Sequence, residues 1–172
     1  MHTAKEIALT GLFTAVLLGA QFVLSQVVGV EVVTVLLLTF AYRFGARRAM
    51  IVANAFSLLR CFIYGFFPAV VILYLVYYNI FSLLFGLLGA KYTRKTDLRA
   101  LITVTLLAAF MTVIFTLLDD IITPLFYGMS AGAARVYFLA SLPVMVPQII
   151  CSVVTTLILF KPLVKAYAAY RI

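Results

Sequence analysis

From Ile7 to Val30 the chain runs without a single charged side chain, and that stretch already restricts what it can fold into. A helix crossing a hydrocarbon core about 30 Å thick needs roughly 20 such residues. A cleavable leader would show a shorter apolar core and a small-residue cut site, whereas this run flows directly into the next apolar segment. It reads as a permanent span. Composition agrees: 66% of the 172 residues are hydrophobic and 10% charged, against about 45–50% and about 25% in soluble domains. Mean hydropathy is +1.22. A water-soluble fold is excluded.

Breaks in the apolar pattern divide the chain into six expected helices. The first covers Ala8 to Leu24 and the second Val28 to Tyr42, joined through Ser25 and Gln26. The third follows Arg47 and Arg48 and runs to Tyr64, stopped by Gly65 and Pro68. The fourth is Ala69 to Ala90. A basic loop, Lys91 to Arg99, precedes the fifth, Ala100 to Ile121. A Gly-rich link from Gly128 to Ala134 leads to the sixth, Val136 to Phe160, with bends expected at Pro143 and Pro147. Six crossings consume about 120 residues. The expectation is one all-α domain, residues 1–172, an integral membrane bundle of six transmembrane helices with no soluble domain.

Basic residues orient such a bundle, because short cytoplasmic loops accumulate Lys and Arg. Lys5, Arg43, Arg47, Arg48, Lys91, Arg94, Lys95, Arg99, Lys161, Lys165 and Arg171 fall on one side, against Arg135 alone in the opposite loops. Both termini are therefore expected in the cytoplasm. The net charge of +8 is read the same way, as loop charge and not as a nucleic-acid surface. Cys61 and Cys151 fall at different depths, too far apart for the roughly 4.4–6.8 Å Cα separation of a disulfide. With one His and no Cys/His cluster, the residues offer no metal site and imply no cofactor.

Ionisable groups inside a membrane are costly and tend to mark sites, so their depth matters. Glu31, Arg60, Asp119, Asp120 and Arg135 all fall near the outer level. Asp119 and Asp120 are placed at the outer close of the fifth helix. They point about 100° apart on a helix, so one of them faces inward, and the sequence leaves open which. Tyr64, Tyr74, Tyr77, Tyr78, Asn79, Phe126, Tyr127 and Tyr137 join them. An outward pocket walled by aromatic rings and floored by a few charges suits a small polar heterocycle. Competing readings stand beside it: Tyr127 and Tyr137 as an interfacial aromatic belt, Glu31 and Arg60 as a buried ion pair, and Asp120 as a solvated helix-end charge. Gly11, Ala15 and Gly19, four apart on the first helix, form a smooth stripe suited to close helix packing, within the bundle or with a partner. There is no phosphate-binding loop, HExxH or GxSxG motif, so enzymatic chemistry is not expected and any ATP must be held by another subunit.

Over nearly its full length, in size, helix number and orientation, the chain resembles the substrate-binding S components of energy-coupling factor transporters. The local likeness lies in Ala8-Leu-Thr-Gly-Leu-Phe-Thr-Ala15, Val30-Glu-Val-Val-Thr34, Tyr64-Gly-Phe66 and Phe160-Lys-Pro-Leu-Val-Lys165. The resemblance implies a subunit of the bacterial cytoplasmic membrane that captures a vitamin or related water-soluble micronutrient. It also implies association with a transmembrane coupling protein and two ATPase subunits. The small-residue motif that packs on that coupling protein would correspond to Gly11 and Ala15, Gly standing where an Ala is usual. The resemblance supplies no ligand residue by motif. From the depth pattern alone, the substrate-binding candidates are Glu31, Arg60, Tyr74, Tyr78, Asn79, Asp119 and Arg135. The alternative is a stand-alone ion-coupled transporter relaying its ion through Asp119, Asp120 and Glu31. A lipid-modifying enzyme is disfavoured for want of a nucleophile or metal set.

Overall fold

The computed structural model describes residues 4–24 and 32–170. These form six α-helices and no strand: α1 (Ala4–Leu24), α2 (Val33–Phe44), α3 (Ala46–Tyr64), α4 (Pro68–Lys91), α5 (Leu98–Phe126) and α6 (Ala131–Ala168). By length and composition α1, α4, α5 and α6 are able to cross a membrane. The twelve described residues of α2 rise about 18 Å, and α3 carries Arg47, Arg48 and Arg60. The joint at Ser25 and Gln26, the start of the expected second helix, and Glu31 lie outside the described residues.

Two interior breaks fall where glycine and proline demand. Gly65, at φ +86°, closes α3 by donating to the Cys61 carbonyl at 3.0 Å, and Pro68 opens α4. Proline suits a first helical turn because its missing N–H has no partner to lose there. Gly45, at φ +91°, alone separates α2 from α3.

Helices α5 and α6 run further than expected. Helix α5 continues past Ile121 to Phe126, so Asp119 and Asp120 lie inside the helix instead of closing it, about 10 Å before its end. Hydroxyls supplied by α6 and by Thr123 accommodate these acids. Helix α6 starts at Ala131, not Val136, because the Ser130 side chain caps it, accepting from Ala133 N at 3.3 Å. The Ala-Gly-Ala-Ala stretch that follows is three-quarters alanine, the strongest helix former. Most of the expected link is thus helical. At its other end α6 passes Phe160 and reaches Ala168, remaining one helix through Pro143, Pro147 and Pro162. The basic loop narrows to residues 92–97, with Asp97 capping α5 through Ala100 N at 2.9 Å.

Helix α2 is the pillar of the bundle: all but Leu36 and Arg43 of its residues are buried. It packs on α4 and α6, with lesser contacts to α3 and α1, while α5 lies along α6 and α3 along α4. Tyr42 and Phe40, both fully buried, meet Phe160 and Phe13 at ring separations of 5.0 and 4.2 Å. The backbone of α4 comes very close to the corner at Gly45. A Cβ on Gly89 would stand 2.1 Å from the Tyr42 carbonyl oxygen, and one on Gly86 2.3 Å from the Ala46 nitrogen.

These contacts fix the direction of every helix. The start of α1 meets the start of α3 through the ion pair Arg48–Glu6. The end of α4 meets the α2–α3 corner, and the Tyr42 hydroxyl donates to the Lys95 carbonyl of the α4–α5 loop. Tyr167 near the end of α6 packs on Phe13 and Phe44. Helices therefore alternate in direction, and the basic loops collect at one end of the bundle. The turns at Gly65 and at residues 127–130 form the other end.

Gly89→Ala forces backbone apart and is expected to destabilise the protein by about 1–3 kcal/mol. Gly11→Ala, with nothing within 4 Å of the added methyl, is expected to leave stability unchanged or raise it by up to about 1 kcal/mol through helix propensity. Thermal unfolding of the detergent-solubilised variants, followed by circular dichroism, checks the contrast.

Candidate functional site

At the end away from the basic loops, α5 and α6 part around a cavity of about 270 Å³ lined by Phe115, Thr116, Asp119, Tyr137, Ser141 and Gln148, among others. Helical spacing explains the lining. Thr116, Asp119 and Thr123 recur at i, i+3 and i+7 along α5, and Tyr137, Ser141 and Gln148 at i, i+4 and i+11 along α6, one face of each helix. The two faces are stitched by side-chain bonds. Tyr137 donates to Asp119 Oδ2 at 2.8 Å and Thr123 to Asp119 Oδ1 at 2.7 Å. Ser141 donates to Asp120 Oδ2 at 2.8 Å. Asp119 is thus the acid that lines the cavity. Asp120 holds α6 through Ser141 while its Oδ1 is buried without a partner among the described residues. Pro143 and Pro147 cannot donate backbone bonds, which releases the Leu139 and Pro143 carbonyls beside this face.

A second cluster lies across α1, α3 and α4. The Arg60 guanidinium stands 4.2 Å from the Tyr74 ring centre and 5.2 Å from that of Tyr64. A cation held over aromatic faces gains about 1–2 kcal/mol where it is shielded from water. Gln21 Nε2 reaches the Tyr74 hydroxyl at 3.4 Å. Phe56 stacks on Tyr74 with ring planes 20° apart.

Phe115 joins the two clusters. Its ring lies 5.7 Å from Tyr74 and 4.8 Å from Tyr77, and it also lines the cavity at Asp119. Arg60, Tyr74 and Phe115 are therefore in successive contact, and Asp119, one turn further along α5 from Phe115, lines the same cavity. Four buried polar atoms at this end, Gln21 Oε1, Arg60 Nε, Tyr64 Oη and Asp120 Oδ1, have no hydrogen-bond partner among the described residues. Such atoms are uncommon in folded proteins, and the ones at this end offer unused donors and acceptors to a polar molecule, although Arg43, Ser82, Ser152 and Thr156 carry others elsewhere in the bundle.

The remaining expected residues are dispersed. Tyr78 is 2% exposed and packs edge-on to Phe56, Tyr74 and Tyr77 behind the cavity wall. Asn79 Nδ2 donates to Asn54 Oδ1 at 2.6 Å and to the Leu75 carbonyl at 2.7 Å, tying α4 to α3. Arg135 is exposed on α6, and two positions from Tyr137 it turns about 200° from the cavity. Glu31 lies outside the described residues. Gly11, Ala15 and Gly19 are all exposed on α1, and a Cβ added at Gly11 or Gly19 would meet nothing from other elements within 4 Å. A shallow apolar groove of about 280 Å³ runs past Gly11 and Ala15 toward Ile51, Ala55 and Leu59 of α3.

Phe115, Ser141, Gln148 and Gln21 were not among the residues expected from sequence. Ser141 and Gln148 had a readable signal, the polar stripe on α6 in register with Tyr137, and Gln21 was readable only as a lone amide in an apolar helix. Phe115 had none, since one Phe in a helix rich in apolar residues looks like any other core residue.

Tyr137→Phe and Ser141→Ala each remove one bond between α5 and α6, and each is expected to lower stability by about 0.5–1.5 kcal/mol. Thermal melts in detergent measure this, and a Tyr137→Phe protein as stable as its parent would show the Asp119 contact to be idle. Comparison with family models, curated proteins and solved structures yields no match to this chain.

Proposed function

We propose that the chain is a membrane-embedded substrate-binding subunit. It captures a vitamin or similar small water-soluble micronutrient for uptake driven by ATP hydrolysis on partner subunits, as the resemblance to energy-coupling factor S components implies. In this reading the bundle spans the bacterial cytoplasmic membrane six times. The basic end and both termini are cytoplasmic, and the cavity opens outward.

The observation that carries the reading is the succession Arg60, Tyr74 and Phe115, with Asp119 lining the same cavity as Phe115, at the end of the bundle opposite the basic loops. Stacking on Phe115 would hold an aromatic or heterocyclic ring, and Asp119 and Gln148 would meet its donors. Tyr74 and Arg60, beyond Phe115 and not in the cavity lining, would be reached by an acceptor or anionic group as the ligand displaces that ring. The cavity of about 270 Å³ falls just below the roughly 300–1,000 Å³ usual for ligand pockets, which favours a small ligand. The stripe Gly11, Ala15 and Gly19 turns away from the bundle and would receive the coupling protein. No nucleic-acid partner is implied.

Mass spectrometry of small molecules retained through purification identifies the ligand. Asp119→Asn and Arg60→Gln are expected to weaken its binding at least about ten-fold, equivalent to about 1.4 kcal/mol each. Gly11→Leu or Ala15→Leu should abolish co-purification of a coupling protein and ATPases while leaving ligand binding intact. Uptake by the chain alone in liposomes, driven by an ion gradient and indifferent to ATP, would overturn the proposal in favour of a secondary transporter.

A further inference from the structure

The basic end carries a feature that capture of a nutrient at the opposite end does not use. Among the residues lining a cavity of about 430 Å³ are Arg43 from α2, Thr93, Arg94, Lys95 and Thr96 from the α4–α5 loop, and Lys165 from α6. Four cationic residues thus line one concavity, and no acidic residue lines it among the described residues. The nearest acid in sequence, Asp97, is engaged in capping α5.

The loop that delivers two of these cations is held in a set shape. Thr93 and Arg94 adopt left-handed φ angles of 51° and 59°, a conformation that costs non-glycine residues energy and persists only when the surroundings enforce it. Arg94 N donates to the Gly89 carbonyl at 2.8 Å, Lys95 N to that of Tyr92 at 3.0 Å, and the Tyr42 hydroxyl holds the Lys95 carbonyl.

Cations near helix C-termini also complement the helix dipole, and Arg43 and Lys165 lie in the last turns of α2 and α6. That role does not account for Arg43, whose Nε is buried without a hydrogen-bond partner among the described residues. Nor does it account for four like charges converging on one hollow. Like charges so placed repel one another until an anion joins them.

We propose that this cavity binds a phosphate group, carried by the headgroup of an acidic phospholipid or free in solution. Clusters of Lys and Arg at the cytoplasmic mouth of helices suit acidic lipid headgroups. The outer face of α6 fits a lipid as the carrier. Ile158, two turns before Lys165 on the same helical face, is 65% exposed, so an acyl chain could lie along the helix below its headgroup.

The test uses delipidated full-length protein in detergent, probed by native mass spectrometry with phosphatidylglycerol, phosphatidylcholine and inorganic phosphate. Phosphatidylglycerol should be retained over phosphatidylcholine. Lys165→Gln should weaken that retention about five-fold, and adding Arg43→Gln should weaken it further. Arg47→Gln, a change to an exposed cation outside the cavity, should leave it intact. Lys165 is exposed, so its variant reports even if Arg43→Gln fails to fold. Inorganic phosphate binding more tightly than phosphatidylglycerol, with the same dependence on Lys165, would support the site and identify free phosphate as its occupant. Unchanged binding of both probes to Lys165→Gln, or an equal loss with Arg47→Gln, would overturn the proposal.

Discussion

The Tyr42 carbonyl presses so closely on α4 that only glycine at position 89 leaves room for it, and much of the bundle is arranged around that contact. It draws α4 against the buried pillar α2 and seats the one-residue corner at Gly45. The same tyrosine extends its hydroxyl to the α4–α5 loop and its ring to Phe160 of α6. Close backbone approach of this kind is how helices associate where lipid offers no hydrophobic drive. The helices are clamped at this end, and at the other α5 and α6 part around Asp119.

Polar chemistry is divided to match. At the clamped end the basic side chains lie on loops and helix termini, where long side chains reach water readily. At the open end the charged groups lie within helices and are answered by rings and hydroxyls: Arg60 by Tyr64 and Tyr74, Asp119 by Tyr137 and Thr123, Asp120 by Ser141. The bonds that hold α6 to α5 use the same groups that an incoming polar molecule would engage. Under the proposed function, a ligand that competes for Asp119 would therefore also loosen the seam between these helices.

Much of this was legible in the sequence where backbone chemistry is local. Gly65 and Pro68 stop and restart helices through their own φ preferences, and the turn falls where expected. The ends of α5 and α6 were less legible because tertiary partners decide them. Asp119 and Asp120 look like a helix terminus until hydroxyls from α6 are seen to accommodate them, and the residues from Gly128 look like a loop until Ser130 is seen to cap a helix. Arg60 and Tyr74 could be placed at one level from rise per residue alone. That Asp119 and not Asp120 lines the cavity, that Asn79 is occupied with Asn54, and that Phe115 joins the two clusters depend on how helices are rotated against one another. A single chain's periodicity does not encode that rotation.

The account rests on the two ends facing opposite sides of a membrane. Its most direct measurement is labelling of single cysteines by a membrane-impermeant thiol reagent in intact cells, in a background where Cys61 and Cys151 are replaced by serine. Met129→Cys, in the turn beside the cavity, should react in intact cells, and Thr96→Cys, in the basic loop, only after permeabilisation. Labelling of Thr96→Cys in intact cells with Met129→Cys protected would contradict the orientation, and with it the outward-facing site.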